Sequence, residues 1–138
     1  MRALATGLIF WIATVFSATA QDAQAPDPGI ELTIQSQVDA FLVDDFAQAF
    51  TFASPNIQRL FGSAERFGTM VKNGYPMVWR PSEVQFLELR DLGASKIQRV
   101  LMRDAKGKVH LLDYQMVQME GTWRIAGVQL LRTPDVGA

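Results

Sequence analysis

Three side chains that can donate or accept protons lie close together in one stretch of the sequence: His110, Asp113 and Tyr114. General acid–base catalysis needs two such groups facing one substrate atom, with pKa values held apart by their surroundings. The stretch has the composition of a β-strand, in which successive side chains point to opposite faces. His110 and Tyr114 therefore share a face and Asp113 lies on the other. A catalytic pair would need its carboxylate from elsewhere, from Asp44 or Asp45.

Each of these residues also has a structural interpretation, which we favour. His110 follows the turn at Gly107 and is predicted to be an exposed residue at a strand end. Tyr114 is expected to pack its ring and hydrogen-bond its hydroxyl group. Asp44 and Asp45 interrupt a helical pattern and are expected to be helix caps. With one histidine and no cysteine, the chain predicts no metal site and no cofactor, and we assign no catalytic residue.

A second candidate site is the segment NGYPMVWRP, residues 73–81. Proline biases the residue before it toward extended conformations, so the segment is predicted to be a taut connector between a helix and a strand. If it is extended, Tyr75, Met77 and Trp79 share one side and Arg80 points elsewhere. Trp79 could be presented to an apolar ligand at the mouth of a pocket, or the aromatic rings could fill that mouth; we favour the second use. The predicted ligand-binding residues are Tyr75, Trp79, Arg80 and Tyr114.

The elements that must position these residues begin with helices. Apolar residues recur at helical spacing from residue 30 to residue 42 and resume after the aspartate pair. Ser54, followed by a proline, predicts the start of a further helix that ends at Gly62. Ser63 predicts the start of another, which ends at Gly74 because glycine is a frequent helix terminator.

Four β-rich runs follow, separated by short turns that contain glycine, and they predict an antiparallel meander. In the last run Gly127 interrupts the alternation, because Trp123 and Ile125 have one parity whereas Val128 and Leu130 have the other. A β-bulge there would return both pairs to the same face and curve the sheet. The runs span residues 83–90, 97–103, 109–119 and 123–131.

This order of elements predicts an α+β fold in which N-terminal helices pack on a curved, four-stranded antiparallel meander sheet. The expected shape is a cone with one open end, which supplies a pocket. Several strands carry apolar residues on both faces, as Leu111 and Leu112 do. The apolar residues of one face are expected to pack against the helices. Those of the other face predict a homodimer through the outer sheet face, or a protein partner there.

The first twenty residues, MRALATGLIFWIATVFSATA, have the organisation of a cleavable secretory signal peptide. Cleavage is predicted after Ala20, which makes the protein periplasmic or secreted, without a stable membrane anchor after cleavage. An uncleaved anchor is the less favoured alternative. Residues 21–29 are predicted to be a disordered leader, residues 30–133 a single α+β domain and residues 134–138 a C-terminal tail.

Composition limits the classes of partner. The chain has 138 residues and a formal net charge of −1, with its charges interspersed, so it lacks the basic patch that nucleic-acid binding requires. It has no cysteine, which excludes disulfides, lipid-modified cysteines and thiol chemistry. A small apolar ligand or a protein partner remains as the predicted kind of binding partner.

Four strings of the sequence carry a family resemblance: DDFAQAFTFASPNIQRLFG, RFGTMVKNGYPMVWRP, QRVLMRD and HLLDYQM. They resemble a family of secreted bacterial proteins known as a domain of unknown function, numbered 4864. The helices ahead of a meander, and a closing strand of the form Trp-Arg-Ile-x-Gly-Val, also resemble the nuclear-transport-factor-two-like (cystatin-like α+β cone) superfamily.

The superfamily resemblance implies a fold that is shared by isomerases, dehydratases, ligand binders and scaffolds, and the fold does not choose among them. Our first hypothesis is a non-enzymatic exported domain that binds a small apolar ligand or a protein partner. The alternative is a cone-fold isomerase or dehydratase that uses Tyr114 with Asp44 or Asp45 as an acid–base pair.

Overall fold

A computed structural model describes residues 23–132, and this part of the chain has five helices and five strands. The predicted signal peptide and C-terminal tail lie outside the described residues. None of the helices within residues 23–132 is long and apolar enough to cross a membrane. The helices are α1 (Pro28–Leu42), α2 (Phe46–Thr51), α3 (Pro55–Phe61), α4 (Ala64–Gly74) and α5 (Pro76–Trp79). The strands are β1 (Ala23–Gln24), β2 (Glu83–Asp91), β3 (Lys96–Arg103), β4 (Val109–Met119) and β5 (Thr122–Leu131).

The start of the described chain differs from the predicted disordered leader. β1 pairs with the end of β2, and α1 begins two residues before the predicted domain start. Asp27 caps α1, because its Oδ1 accepts hydrogen bonds from the N–H groups of Gly29 at 2.9 Å and Ile30 at 3.3 Å. Pro28 fits the first helical turn, where its missing N–H is not needed. A two-residue strand has no periodicity that a sequence could reveal.

The predicted helix starts at two serines are confirmed. The side-chain oxygen of Ser54 accepts a hydrogen bond from the N–H of Ile57, and that of Ser63 from the N–H of Arg66 at 3.2 Å. Between them α3 ends at Gly62, whose φ of +78° lies in the left-handed region that glycine adopts without strain. These caps make α3 and α4 two separate short helices.

The prediction of an extended connector at residues 73–81 is wrong. Pro76 begins the four-residue helix α5, because proline is well suited to a first helical position. Tyr75 and Arg80, which directly precede the two prolines, leave the helical region, with φ values of −135° and −138°. The helical turn therefore separates side chains that an extended chain would have aligned.

The sheet is antiparallel throughout, with the strand order β1-β2-β3-β4-β5. The α+β class is confirmed, but the sheet has five strands and not the predicted four, because β1 adds to the edge of the meander. The bounds of the four long strands agree with the prediction to within one residue. Gly107 and Gly121 have φ values of +85° and +78° in the two hairpin turns that flank β4, which explains why those turns were visible in the sequence.

The predicted β-bulge is present in β5. Gln115 of β4 pairs with Gly127, whereas its neighbour Met116 pairs with Ile125, so Ala126 is the additional residue. The bulge restores a common face on either side of it, as the sequence predicted. The residues of β5 on that face are Trp123, Ile125, Val128 and Leu130.

The core lies between this face of the sheet and the helices. α1 packs against the sheet and contributes apolar residues at spacings of three and four. β4 supplies alternate residues from the same face, all fully buried. The central core residues are Ile30, Ile34, Val38 and Phe41 of α1, and Leu112, Tyr114 and Met116 of β4.

The opposite face of the sheet carries a row of leucines beside a row of charges. In the charged row the carboxylate of Asp113 accepts hydrogen bonds from Arg99 and Arg90. The homodimer predicted through this face stays a prediction. The leucines are half-buried cross-strand neighbours on three strands: Leu101, Leu111 and Leu131.

Candidate functional site

A cavity of about 240 Å³ lies between the helices and β5. Its wall is almost entirely aliphatic and aromatic, and it draws on α1, α3, α4, α5 and β5. Leu60 lines the cavity and yet is 74 % exposed, so it marks the opening to solvent. The lining residues are Gln37, Phe41, Ala53, Ile57, Leu60, Phe61, Phe67, Met70, Val71, Tyr75, Val78, Ile125, Gly127 and Val128.

Only two of the lining side chains are polar, Gln37 and Tyr75, and both are already held by the protein. Gln37 is buried, and its Nε2 donates to the carbonyl of Ala49 at 3.1 Å. The hydroxyl of Tyr75 donates to the carbonyl of Val128 at 3.3 Å. Within the described residues nothing donates to Oε1 of Gln37, so this oxygen can accept a hydrogen bond, as can the hydroxyl oxygen of Tyr75.

Helical spacing alone would assign the cavity-lining residues of α3 and α4 to a filled core. Helical spacing places Ile57, Leu60 and Phe61 on the inner side of α3, but none of them is fully buried. Apolar periodicity shows which side of a helix faces inward, and it cannot distinguish a filled core from the wall of a cavity. No feature of the local sequence separates these two cases.

The structure places the predicted ligand residues of segment 73–81 in two different places. Tyr75 lies on the cavity wall, together with Val78 of α5. Trp79 and Arg80 lie outside the lining, at the surface, where the guanidinium group stacks 4.2 Å from the centre of the indole ring. The single helical turn of α5 thus directs Tyr75, just before it, toward the cavity and directs Trp79 and Arg80, at its end, away from it.

Asp44 holds this surface pair in place. Its Oδ1 accepts hydrogen bonds from Nε1 of Trp79 and from Arg80, both at 2.9 Å. The hydrogen bond from Trp79, followed by that from Arg80, lowers the pKa of the Asp44 carboxyl below its ordinary value. Arg80 also donates to the carbonyl of Phe41, at the end of α1. The cluster therefore fastens α5 to the turn between α1 and α2.

Tyr114 is fully buried under the helices and is not among the residues that line the cavity. Its hydroxyl has no hydrogen-bond partner within residues 23–132, which differs from the predicted bonded hydroxyl. Burial raises the pKa of Tyr114 above its ordinary value, and the neighbouring Tyr75 raises it further. The group is thus held in its neutral form, away from solvent.

Replacement of Tyr114 by phenylalanine is expected to stabilise the protein by about 1 kcal/mol, because it removes a buried polar group that has no partner and keeps the ring. Urea unfolding followed by circular dichroism measures the change. Tyr75→Phe is the matched control: it removes a hydroxyl that does donate to a carbonyl, so a loss of up to about 1 kcal/mol is expected. A loss of stability in Tyr114→Phe would contradict the account of its hydroxyl.

The acid–base pair of the alternative hypothesis is not assembled among the described residues. Asp45 caps α2, accepting a hydrogen bond from the N–H of Gln48 at 3.1 Å, as predicted. Asp44 is not a helix cap; its half-exposed side chain bonds to Trp79 and Arg80. Neither carboxylate accepts a hydrogen bond from the hydroxyl of Tyr114, which has no hydrogen-bond partner in this part of the chain.

His110 is more enclosed than predicted. Its side chain is 15 % exposed, and its Nε2 lies 2.9 Å from Oδ2 of Asp104 in the β3–β4 turn. This contact is the main cause of the lowered pKa of the Asp104 carboxyl, and hydrogen bonds from backbone N–H groups in the turn lower it further. Within residues 23–132 no group of three or more histidine and carboxylate side chains could hold a metal ion.

Comparison with known proteins connects the chain to one family. The family described as Domain of unknown function (DUF4864) matches residues 23–138, which include the whole described fold. No curated protein and no solved structure matches the chain. The resemblance to the nuclear-transport-factor-two-like superfamily therefore stays a prediction. A match over most of the chain decides the family: this protein belongs to the DUF4864 family.

Proposed function

We propose that this protein is a non-enzymatic binding domain that takes a small apolar ligand into the cavity beside β5. The observation that carries the proposal is the lining itself, an apolar wall built from five elements with an opening at Leu60. Pockets that bind small molecules are typically concave and apolar with a few polar groups that orient the ligand. Gln37 and Tyr75 supply such groups here.

The size of the cavity limits the ligand. Its volume of about 240 Å³ lies below the range of ~300–1,000 Å³ that is typical of sites for drug-sized molecules. A single aromatic ring with a short substituent, or a branched alkyl chain, suits this volume. Because Oε1 of Gln37 can accept a hydrogen bond, a ligand with one hydroxyl or amine group is favoured over a pure hydrocarbon.

The chemistry of the wall favours binding over catalysis. Apart from Tyr75, the lining residues carry no group that exchanges protons, and the hydroxyl of Tyr75 is engaged with the carbonyl of Val128. General acid–base catalysis needs a group whose pKa is near the working pH and which faces the substrate. Tyr114 lies outside the lining, and the phenol stays neutral there.

Binding of p-cresol and toluene, measured by ¹⁵N-HSQC titration, tests the proposal. Both are expected to shift the amide signals of the cavity wall, p-cresol at the lower concentration. Ile57→Trp places an indole in the cavity and is expected to weaken both by about tenfold or more. Asn56→Trp, on the exposed side of the same helix, is the matched control and should leave binding unchanged.

Native mass spectrometry of the purified protein provides an independent measurement, because a retained ligand adds its own mass. The proposal is wrong if neither compound binds to the wild-type protein. It is also wrong if Asn56→Trp loses binding as fully as Ile57→Trp does while both variants keep the dispersed spectrum of a folded protein.

A further inference from the structure

Strand β5 forms one edge of the sheet, and the first half of this edge is already paired. The N–H of Ile125 donates to the carbonyl of Phe52 at 2.9 Å, and the carbonyl of Ile125 accepts from the N–H of Ser54 at 2.8 Å. The carbonyl of Trp123 accepts from the hydroxyl of Thr33 at 3.4 Å. The first half of β5 is thus covered by its own chain.

The second half of the edge is open. Backbone groups of alternate residues point away from β4, and after the bulge these residues are Val128 and Leu130. The carbonyl of Val128 accepts from the hydroxyl of Tyr75, and a carbonyl oxygen has a second lone pair. Within the described residues nothing pairs with the N–H of Val128 or with either backbone group of Leu130.

The open stretch itself carries no protection against pairing, and the first charge along the edge is that of Arg132, directly after the strand. Residues 127–131 read GVQLL, without a charged residue or a proline. Proteins usually protect an exposed edge strand with charges, proline or a covering segment, because free N–H and C=O groups recruit other strands. Leu130 is also 43 % exposed on the helix-facing side of the sheet. An unprotected apolar edge indicates a surface that is covered in the functional state.

We propose that this edge is covered by β5 of a second copy of the chain, which makes the protein a homodimer with a continuous sheet. The two strands run antiparallel across a two-fold axis at Gln129. Val128 of each copy then lies opposite Leu130 of the other, so the three unpaired groups find partners and the carbonyl of Val128 accepts a second hydrogen bond beside that from Tyr75. This is the interface expected of a self-complementary C₂ dimer.

This register also brings an apolar side chain to the cavity. Val128 lines the cavity, and the residue opposite it across the new ladder is Leu130 of the second copy, on the same face of the sheet. In a shifted register, Leu130 of one copy would lie opposite Leu130 of the other. The cation of Arg132 in one copy would then lie opposite Val128 in the other. The apolar lining at Val128 therefore favours the register centred on Gln129.

The proposal goes beyond the binding function and does not depend on it. It also places the dimer contact at the edge of β5 and not on the outer face of the sheet, where the charged row around Asp113 lies. The two interfaces would respond to different substitutions, so experiments can separate them.

A single cysteine at residue 129 tests the register, and the chain has no other cysteine. At the two-fold axis Gln129 forms a non-hydrogen-bonded pair, whose Cα atoms are ~4.5 Å apart, within the range for a disulfide. Gln129→Cys is expected to form a disulfide-linked dimer with oxidised glutathione at micromolar protein concentration. Gln115→Cys, exposed on the same face of the neighbouring strand, is the control and should stay unlinked.

Light scattering over a range of protein concentrations provides the second measurement. Leu130→Pro removes an N–H that points away from β4, so it costs no internal hydrogen bond, and it is expected to weaken the dimer by about tenfold or more. Leu111→Lys, on the outer face, should leave the dimer unchanged. A monomer at every concentration, a dimer that survives Leu130→Pro, or one that dissociates in Leu111→Lys would overturn the proposal.

Discussion

Substitution of Asp113 by alanine is expected to lower the free energy of unfolding by about 2 to 3 kcal/mol. Asp113 is 9 % exposed, and its carboxylate accepts two hydrogen bonds from Arg99, at 2.9 and 3.1 Å, and one from Arg90 at 3.2 Å. Removal of the carboxylate leaves two cations beside each other. Because both guanidinium groups are partly exposed, water compensates some of the loss, so the effect stays below that of a fully buried pair.

The control for this prediction keeps Arg99 and changes its other partner. Glu88 forms a salt bridge with Arg99 at 2.9 Å, but its side chain is 48 % exposed. Exposed ion pairs contribute little, so Glu88→Ala is expected to cost less than about 0.5 kcal/mol. Guanidinium chloride would screen the charges, so urea is the denaturant of choice. Equal losses in the two variants would show that the burial of Asp113 does not set its contribution.

Substitution of Gly68 by alanine is expected to destabilise the protein by about 2 kcal/mol, although helix propensity alone predicts a gain of about 1 kcal/mol in the middle of α4. A Cβ atom at this position would lie 2.6 Å from Cδ1 and 2.8 Å from Cγ of Phe46. The Phe46 ring packs 6.2 Å from the Phe41 ring, and its Cγ atom is close to the backbone. The ring cannot move aside without disturbing the contact between α2 and α4.

Gly74, at the end of the same helix, provides the matched control. An added Cβ atom there has no neighbour within 4 Å, and the residue does not have a positive φ. Gly74→Ala is therefore expected to be neutral or to stabilise by up to about 1 kcal/mol. Opposite signs for the two glycine substitutions in urea unfolding would confirm the steric argument. A gain of stability in Gly68→Ala would refute it.

The sheet could be predicted in detail because its determinants are local. Glycine-containing turns separate the four long strands, and the change of parity at Gly127 reveals the bulge. β1 could not be predicted, since a strand of two residues has no pattern of its own. The prediction for segment 73–81 is wrong for another reason. Proline restricts the residue before it and also starts helices, and the second effect decides the conformation at Pro76.

The candidate site could be predicted only in part because a cavity is a non-local property. Tyr75 reaches the wall through a helical turn that the sequence did not indicate, and Trp79 and Arg80 are turned toward Asp44 instead. Whether Ile57 packs against a neighbour or borders empty space depends on how α3 sits against β5, some seventy residues later in the chain. Local sequence patterns contain no information on how far α3 lies from β5.

The order of the elements along the chain has a consequence for how the protein folds. Each long strand pairs with its immediate neighbours in sequence, so the meander can assemble through short loops soon after it is synthesised. α1 is made early, but its contact with the sheet includes the bond between Thr33 and Trp123, 90 residues apart. The part of its apolar side that packs against β5 stays uncovered until that last strand has formed, although α2 and α5 can pack on α1 earlier. Closure of the contact between α1 and β5 is therefore expected to be a late step, and a nascent chain without β5 offers chaperones part of the future core.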